Sequence, residues 1–424
     1  MLDIKLIREN PDFVRENLKK RIGFNLKIID EVLDIDENWR KQKKVVEALK
    51  ADKNKESKKI SELKKSGRDI KSQIAKVKKV SDKISLEEEK LNNIDEERKV
   101  KLISIPNMLE DSVPIGKDDE ENVEVRTHLK KRDFKFKARN HQELCEMNDW
   151  YDMEKAAQNS GARFYNLKNE MVLLEVALYN YVLSKLALKG YSPVEVPPML
   201  RREVIGKSVS LEDFEEVIYK IDGEDLYLIA TSEPALAALH IDEIIAVKDL
   251  PKRYAGLSNC FRKEAGVTKD SKGIFRVHNF NKIEQFIFSK PEDSQAFLDE
   301  ILENAEEIFR DLGIHYRIVD ICTGDIGSFA AKKYDLEAWL PGQEKYREMV
   351  SASNYGDYGA RRLNCRYQDE KNELKFVHTL NSTAIALTRT LIAIIETHQT
   401  EDGNVKIPEV LRTYFGGREY LLNK

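Results

Sequence analysis

Apolar residues in the first quarter of the chain recur at alternating steps of three and four. The pattern runs from Val32 to Leu63, is interrupted at residues 66–69 (Ser-Gly-Arg-Asp), and resumes from Ile70 to Ile94. A period of 3.5 residues keeps one stripe of a helix apolar, so two long helices are predicted. Their seam positions are Val32, Ile35, Trp39, Gln42, Val46, Leu49, Lys53, Glu56, Ile60 and Leu63, then Ile70, Ile74, Val77, Ser81, Ile84, Glu88, Leu91 and Ile94.

The short turn between the helices favours an antiparallel pair within one chain. Heptads are also common in coiled coils between chains, and that alternative stays open. Gly67 is the residue that argues against it, because an uninterrupted rod has no need of a turn at its centre.

Charge is unevenly distributed along this predicted hairpin. Between Lys50 and Lys79 there are twelve basic residues and four acidic ones, a surplus of eight. A merely solvated face usually mixes both signs, whereas a basic tip is typical of a surface that meets a phosphate backbone. At 1.5 Å per residue the arm is about 50 Å long, which suits contact with a nucleic acid. The tip residues expected to bind it are Lys58, Lys59, Lys64, Lys65, Arg68 and Lys71.

The rest of the chain alternates helix-period and strand-like segments. Residues 106–140 are polar and irregular and are interpreted as a linker. The expected domains are therefore an arm-bearing domain at 1–105, the linker at 106–140 and a body at 141–424. Hairpin-like loops as well as helices join the strands, which favours a mostly antiparallel α+β body. Predicted helices span 165–188 and 292–312, and predicted strands span 227–230, 275–287 and 376–380.

Composition narrows the class of protein. A length of 424 residues favours two domains, and 34% charged with 41% hydrophobic residues is typical of a soluble protein rather than a membrane one. The apolar run from Met171 to Leu188 contains Glu175 and Lys185, so it is expected to be a packed helix. The first residues have no signal-peptide pattern. Four scattered cysteines predict reduced thiols, a cytoplasmic location and no structural zinc.

The candidate chemistry is densest around residues 261–284. Arg262 and Glu264 are two apart and would share one face of a strand, where the first suits a phosphate and the second an amine edge. A surface ion pair on an ordinary hairpin explains that segment equally well. There is no Gly-x₄-Gly-Lys loop and no Gly-x-Gly-x-x-Gly after a strand, so a nucleotide would have to be bound by another route.

Three segments in order resemble motifs 1, 2 and 3 of the class II aminoacyl-tRNA synthetases. They are Lys189-Gly190-Tyr191 with Pro197-Pro198, then Phe261-Arg262-Lys263-Glu264, then Thr379-Leu380-Asn381-Ser382-Thr383 with Arg389. With the N-terminal helical hairpin and further blocks, nearly the whole chain resembles the seryl-tRNA synthetase family. Those blocks are Thr231-Ser232-Glu233, Ala265-Gly266, Arg276-Val277-His278 with Phe280 and Glu284, residues 347–354, and residues 407–412 with Gly416-Gly417.

The resemblance implies a class II fold, with an antiparallel sheet flanked by helices, and a homodimer joined through the motif 1 region. It implies an ATP-dependent serine–tRNA ligase that uses Mg²⁺ and L-serine and acts on serine tRNA, with selenocysteine tRNA as a further candidate substrate. Two alternatives from other classes are an amino-acid:carrier-protein ligase or non-charging synthetase paralogue, and a non-catalytic coiled-coil interaction protein. Carrier-protein ligases lack the tRNA-binding arm, and an interaction protein has no reason to retain the motif residues.

The resemblance also assigns the nucleotide site. It implies that Arg262 holds the α-phosphate, that Glu264 binds the adenine amino edge, and that the base lies between the Phe280 ring and Arg389. Arg262 and Arg389 are the implied catalytic residues, and Glu348 with Ser351 the implied Mg²⁺ ligands. From sequence alone Phe280 would instead be a core aromatic. The full ATP set is Arg262, Lys263, Glu264, Val277, Phe280, Glu348, Met349, Val350, Ser351 and Arg389.

For the amino acid, the resemblance implies that Glu284 accepts the serine hydroxyl. A buried carboxylate left without that donor would be costly, so alanine and glycine should be rejected strongly. The chain departs from common family members in motif 3, where Ser382, Ala384 and Thr388 replace glycines. The implied serine-binding set is Thr231, Ser232, Glu233, Arg262, Glu284, Asn381 and Thr383.

Overall fold

The computed structural model describes residues 1–209, 216–264 and 273–422. It divides into two compact units, Met1–Met108 and Leu109–Lys424. Ala265 and Gly266, which belong to the motif 2 block, lie outside the described residues.

The first unit is helical. Its two long helices, α3 and α4, run side by side and are joined at Gly67, which has a φ of +68° that a side chain would disfavour. The predicted antiparallel hairpin is therefore confirmed, and each seam is covered within one chain. The helices are α1 (Ile4–Glu9), α2 (Pro11–Leu18), α3 (Lys27–Lys65) and α4 (Lys71–Ile103).

Contacts across the hairpin fix its register. The Gln42 amide donates to the Glu87 carboxylate at 2.6 Å, and the Gln73 amide donates to Glu56. The predicted seam is wrong at one position, since Ile74 is 49% exposed and Gln73 is buried in its place. Gln73 takes the inner position because its amide satisfies the Glu56 carboxylate, which is itself a seam residue of α3.

An ion cluster ties the hairpin's base together. The Asp36 carboxylate is buried and accepts hydrogen bonds from Arg8 at 2.9 Å, Arg40 at 3.0 Å and Arg98 at 3.1 Å. Because these arginines come from α1, α3 and α4, one carboxylate links three helices. Burial raises the pKa of Asp36, but the hydrogen bonds and charges of the arginines outweigh it and keep that pKa below its usual value.

The second unit is built on an eight-stranded sheet in the order β1-β10-β11-β12-β15-β9-β8-β4. Every neighbouring pair is antiparallel except β4 with β8, so the predicted antiparallel α+β fold is confirmed. The eight strands are β1 (Val123–His128), β4 (Ser192–Glu195), β8 (Lys252–Phe261), β9 (Asn279–Ser289), β10 (Tyr316–Asp320), β11 (Lys332–Leu340), β12 (Lys345–Asn354) and β15 (His378–Ala386). Shorter strands are β2 (Tyr151–Asp152), β3 (Asn166–Leu167), β5 (Met199–Leu200), β6 (Tyr227–Leu228), β7 (Ile244–Ala246), β13 (Arg366–Gln368) and β14 (Leu374–Phe376).

Helices cover the sheet and bury its apolar face. Among the described residues, only α7 is long and apolar enough to cross a membrane by length and composition. It packs Met171, Leu174 and Leu178 into the core, and its Glu175 accepts a hydrogen bond from Asn281 at 3.0 Å. The helices are α5 (His141–Asn148), α6 (Met153–Ser160), α7 (Glu170–Leu188), α8 (Arg202–Ser208), α9 (Glu233–Ala237), α10 (Ser294–Asp311), α11 (Tyr358–Leu363) and α12 (Leu387–His398).

Within the segment interpreted as a linker, residues 123–128 form a strand. This strand, β1, pairs with β10 at the edge of the main sheet, and Glu110 donates its backbone N–H to Ala331. The polar composition that suggested an irregular segment reflects exposure, because an edge strand with both faces in solvent carries no apolar alternation.

Candidate active site

The site is built on one face of β9. Phe280, Lys282 and Glu284 are two residues apart and therefore share that face, while Ile283 and Gln285 point to the opposite side. Gln285 shows where the opposite side leads, because its amide donates to the Ile301 carbonyl of α10 at 3.0 Å. One strand thus places an aromatic ring, an ammonium and a carboxylate in a row beneath the site.

A cavity of about 150 Å³ lies over this face and over the ends of the neighbouring strands. It brings together side chains from every implied nucleotide-binding segment that the structure describes. Its lining residues are Arg262, Glu264, Phe275, Arg276, Val277, Phe280, Lys282, Glu348, Met349, Ser351, Thr383, Ala386, Thr388 and Arg389.

Two guanidinium groups face one carboxylate in the cavity. Arg389 donates to the Glu348 carbonyl at 2.8 Å and lies 3.4 Å from its carboxylate. Burial acts to raise the pKa of Glu348, but the charges of Arg389, Lys333 and Arg262 outweigh it and lower that pKa. The net positive charge that remains suits a polyanion such as a triphosphate.

Arg262 lies at the centre of the cavity. Its guanidinium is 5.2 Å from the centre of the Phe280 ring, and its Nε is 3.4 Å from the Ala230 carbonyl. Burial, and then the nearby charge of Arg389, lowers the pKa of Arg262 from its ordinary value. Two like charges held close in a buried site are stabilised when an anion binds between them.

Aromatic rings and a second ion pair close the other end. Arg389 lies 4.8 Å from the centre of the Phe275 ring, and Arg347 lies 3.9 Å from it. Glu264, whose φ is +45°, receives a hydrogen bond from Arg276 at 2.9 Å. This end therefore offers a flat apolar surface with one carboxylate at its edge.

The Thr231-Ser232-Glu233 segment packs directly on β8 because residue 256 is glycine. A Cβ added to Gly256 would lie 2.6 Å from Leu236 Cδ1 and 3.0 Å from Ser232 Oγ. Ser232 instead donates to the Gly256 carbonyl at 3.4 Å, which anchors the segment. The anchoring directs Thr231 and Glu233 toward the face of β9.

Three side chains surround the Glu284 carboxylate. Lys282 forms an ion pair with Oε2, and the Thr383 hydroxyl lies 3.4 Å from the same oxygen. Lys282 also donates to Thr231 Oγ1 at 3.2 Å. Burial raises the pKa of Glu284, while Lys282 opposes that shift.

A second network holds Glu233. The Tyr355 hydroxyl donates to Glu233 Oε1 at 2.8 Å, and the Asn381 amide donates to the Tyr355 hydroxyl at 3.0 Å. Burial, and then the charge of Glu284, raises the pKa of Glu233 to about 7. Two buried carboxylates near a single ammonium form a pocket suited to a ligand that brings a second positive charge.

Four residues of the implied sets do not line the cavity with their side chains. Lys263 is exposed, and the Val350 side chain is fully buried in the core, so any contact of Val350 with a nucleotide would come from its backbone. An extra residue in β12, opposite Leu336 and Glu337, is the reason that Met349 lines the cavity and Val350 does not. Ser232 and Asn381 act through the neighbours described above.

The implied metal ligands lie on one strand and both line the cavity. Glu348 carries a charged carboxylate and Ser351 a hydroxyl, which are oxygen donors of the kind that Mg²⁺ prefers. Among the described residues no three His, Cys, Asp or Glu side chains cluster as a metal cage. The donor set fits Mg²⁺ that completes its shell with phosphate oxygens and water.

The six implied nucleic-acid contacts lie at the tip of the hairpin. Lys58, Lys59, Lys64, Lys65, Arg68 and Lys71 are all exposed. Of these, Lys59 pairs with Glu56 at 2.5 Å. The tip therefore presents a basic surface.

Three residues of the site were missed by the sequence analysis. Phe275, Lys282 and Tyr355 carry contacts described above, yet each is also an ordinary strand or loop residue by type. The spacing of Lys282 and Glu284 on a predicted strand was the signal available for the first pair. No sequence pattern indicates that Tyr355 meets Glu233, because the two lie 122 residues apart.

Comparison with known proteins follows the same division of the chain. The family described as the seryl-tRNA synthetase N-terminal domain matches residues 1–109, and that described as the tRNA synthetase class II core domain (G, H, P, S and T) matches residues 216–398. A curated relative, the serine–tRNA ligase of Thermococcus onnurineus, is 48% identical over 99% of this chain and 97% of its own.

Solved structures agree with these matches. The seryl-tRNA synthetase of Pyrococcus horikoshii, crystallised with ATP, has a TM-score of 0.91 and 45% identity and covers 100% of both chains. The cytoplasmic serine–tRNA ligase of Naegleria fowleri, in complex with AMP, has a TM-score of 0.88 and 37% identity, with coverage of 100% of this chain and 99% of its own.

Proposed function

Because the chain belongs to the seryl-tRNA synthetase family, we propose that it joins L-serine to ATP and passes the serine to the 3′ end of serine tRNA. The observation that carries this proposal is the cavity itself. It places Arg262, Arg389 and Glu348 beside a pocket that contains Glu284, Thr383 and Thr231, so a nucleotide site and a small polar pocket share one wall.

The first step needs charge neutralisation rather than a base. The serine carboxylate is already ionised near neutral pH. One of its oxygens attacks the α-phosphorus, the bond from that phosphorus to the bridging oxygen breaks, and pyrophosphate leaves. Arg262 and Arg389 neutralise the negative charge that spreads over the phosphate oxygens, and their fixed positions avoid reorganisation during the reaction.

We assign the Phe275 and Phe280 end of the cavity to the adenine, with Glu264 at its amino edge and Arg389 above the base. A guanidinium stacks on a π face while its charge stays available to the phosphates. Glu348 and Ser351 would hold Mg²⁺, which supplies charge neutralisation at the phosphates when it is bound.

We assign the polar pocket to serine. Glu284 accepts the side-chain hydroxyl, with Thr383 beside it, and Glu233 accepts the α-ammonium. A site that hydrogen-bonds a hydroxyl rejects analogues without one by a large factor, because the buried polar groups are then left unpaired. Threonine has the hydroxyl and must be excluded by the size of the pocket.

We assign the basic tip of the hairpin to the tRNA. In the second step a ribose hydroxyl of the tRNA end attacks the adenylate carbonyl, and AMP leaves. Serine tRNA is the proposed substrate, and selenocysteine tRNA is the second one to be tried. The carrier-protein alternative is not favoured, because residues 1–109 match the N-terminal domain of seryl-tRNA synthetases.

We further propose a cytoplasmic homodimer. The outer side of α7 exposes Val172, Leu173 and Val176, and the adjoining strand β4 lies at the open edge of the main sheet. An apolar stripe beside an unpaired strand edge is the kind of surface that a second copy covers. The four cysteines are buried free thiols, which suits a reducing compartment.

The test is serine-dependent exchange of pyrophosphate into ATP, run in parallel with alanine, threonine and glycine. Exchange is expected with serine and not with alanine or glycine, and total tRNA should then accept labelled serine. Exchange without charging of any tRNA would support the carrier-protein alternative, and the absence of exchange would reject the function.

A further inference from the structure

Lys282 is a buried lysine inside the proposed amino-acid pocket. It lies on β9, on the face shared with Phe280 and Glu284, and is 8% exposed. Lysine is rarely buried unless its ammonium is paired, so its presence calls for a partner of matching charge. That partner is Glu284, and the ammonium also donates to Thr231 at 3.2 Å.

The contacts on Glu284 are one-sided. Lys282 and Thr383, which are its polar partners among the described residues, both approach Oε2. The other oxygen, Oε1, is left for an incoming donor. Lys282 therefore determines which oxygen is occupied, and it also connects β9 to the Thr231 segment.

We propose, on the basis of the function proposed above, that Lys282 is a positioning residue for amino-acid selection. It holds the Glu284 carboxylate and Thr231 in one charged arrangement, so that the pocket accepts an amino acid only if its side chain donates a hydrogen bond to Glu284.

Charge balance explains why the lysine is needed. The pocket contains two buried carboxylates, Glu233 and Glu284, and the substrate brings one α-ammonium. With Lys282 present, each carboxylate has a cationic partner. Without it, one carboxylate has to take up a proton, and a protonated Glu284 no longer depends on a donor from the substrate. Selection of serine over alanine then weakens even though the pocket keeps its size.

The experiment is a double-mutant cycle in the intact protein with Lys282→Met, Glu284→Gln and the double variant. Pyrophosphate exchange is measured with serine and with alanine, and KM is determined separately for serine and ATP. Lys282→Met should lower the serine-to-alanine ratio of kcat/KM by about tenfold or more, which corresponds to about 1.4 kcal/mol of discrimination. The loss should come through the KM for serine and leave the KM for ATP unchanged.

The double variant separates positioning from general damage. Glu284→Gln removes the charge that Lys282 neutralises, so adding Lys282→Met should cost little more than Glu284→Gln alone. Lys282→Arg keeps a cation and should retain a ratio closer to that of the unmodified protein. Additive losses in the cycle, or an unchanged ratio in folded Lys282→Met, would overturn the proposal.

Lys332→Met is the matched control. Lys332 is also a buried lysine of the main sheet, and it pairs with Asp320 at 2.6 Å. Its loss should leave the serine-to-alanine ratio unchanged. If Lys282→Met does not fold, Lys282→Gln keeps an amide donor without the charge and should show the same fall in the ratio. Absence of serine-dependent exchange in the unmodified protein would instead reject the proposed function.

Discussion

Arg262 is the residue at which the nucleotide and amino-acid parts of the cavity meet. Its guanidinium lies over Phe280 and close to the Ala230 carbonyl, one residue before Thr231. No other guanidinium that lines the cavity lies over the β9 face. A single side chain is thus positioned to hold a phosphate oxygen and the attacking carboxylate together.

Arg262→Ala is expected to abolish most adenylate formation while leaving the fold intact. Removal of one preorganised charged donor typically costs about 10²–10³ in rate, or roughly 3–4 kcal/mol. The measurement is serine-dependent pyrophosphate exchange, with thermal unfolding as the control for folding. Near-normal exchange in a folded variant would contradict the role assigned to Arg262.

Glu233 predicts a pH dependence for serine activation. Its pKa of about 7 means that its carboxyl is mostly protonated below that pH and cannot pair with the α-ammonium. The kcat/KM for serine should therefore rise with pH through about 7 and then level off, when it is measured from about pH 5.5 to 8.5. In Glu233→Gln this rise should be absent. A rise that persists in the variant would assign the titration to another group.

Among the elements, the helical hairpin is the one that can be shortened without loss of register. Gln42 meets Glu87 and Glu56 meets Gln73, so the paired positions keep a constant sum along the two helices. By the same register Lys50 and Lys79 face each other. A shortened hairpin closed between them keeps the seam and the Asp36 cluster at the base.

Deletion of residues 51–78, with a short turn in their place, should leave serine activation intact and abolish transfer to tRNA. The deletion removes the basic tip, and binding built on phosphate contacts loses about 0.9 units of log–log salt slope per contact. Reversal to glutamate at Lys58, Lys59, Lys64 and Lys65 should weaken tRNA binding and flatten that slope. Arginine at the same positions keeps the charge and is the control. Normal charging by the shortened protein would show that the tip is not the tRNA contact.

At the scale of the whole molecule, the exposed side of α7 predicts self-association. A two-fold interface places the same patch of both copies face to face, so a charge introduced there meets its own copy. Leu173→Glu combined with Val176→Glu should shift the protein from dimer to monomer in sedimentation equilibrium. Ile115→Glu changes an exposed apolar residue elsewhere and should have no effect. A dimer that survives the double substitution would place the interface on another surface.

The sequence by itself determined the elements with strong local periodicity and the identity of the motif residues. The hairpin, α7 and α10 follow from spacing, because a helix satisfies its backbone within its own segment and shows its buried stripe in the sequence. The core of the predicted strand at 275–287 also lies in β9. These features are local, so no distant contact was needed to predict them.

Only the tertiary structure decided which side chains meet. The pairing of Lys282 with Glu284 and Thr231, the contact of Tyr355 with Glu233, and the extra residue that turns Met349 toward the cavity all depend on neighbouring strands. Strand partners come from distant parts of the chain, and a shift of one residue moves a side chain to the other face. The strand at residues 123–128 was missed for the same reason, since an edge strand is defined by the partner it pairs with and not by its own pattern.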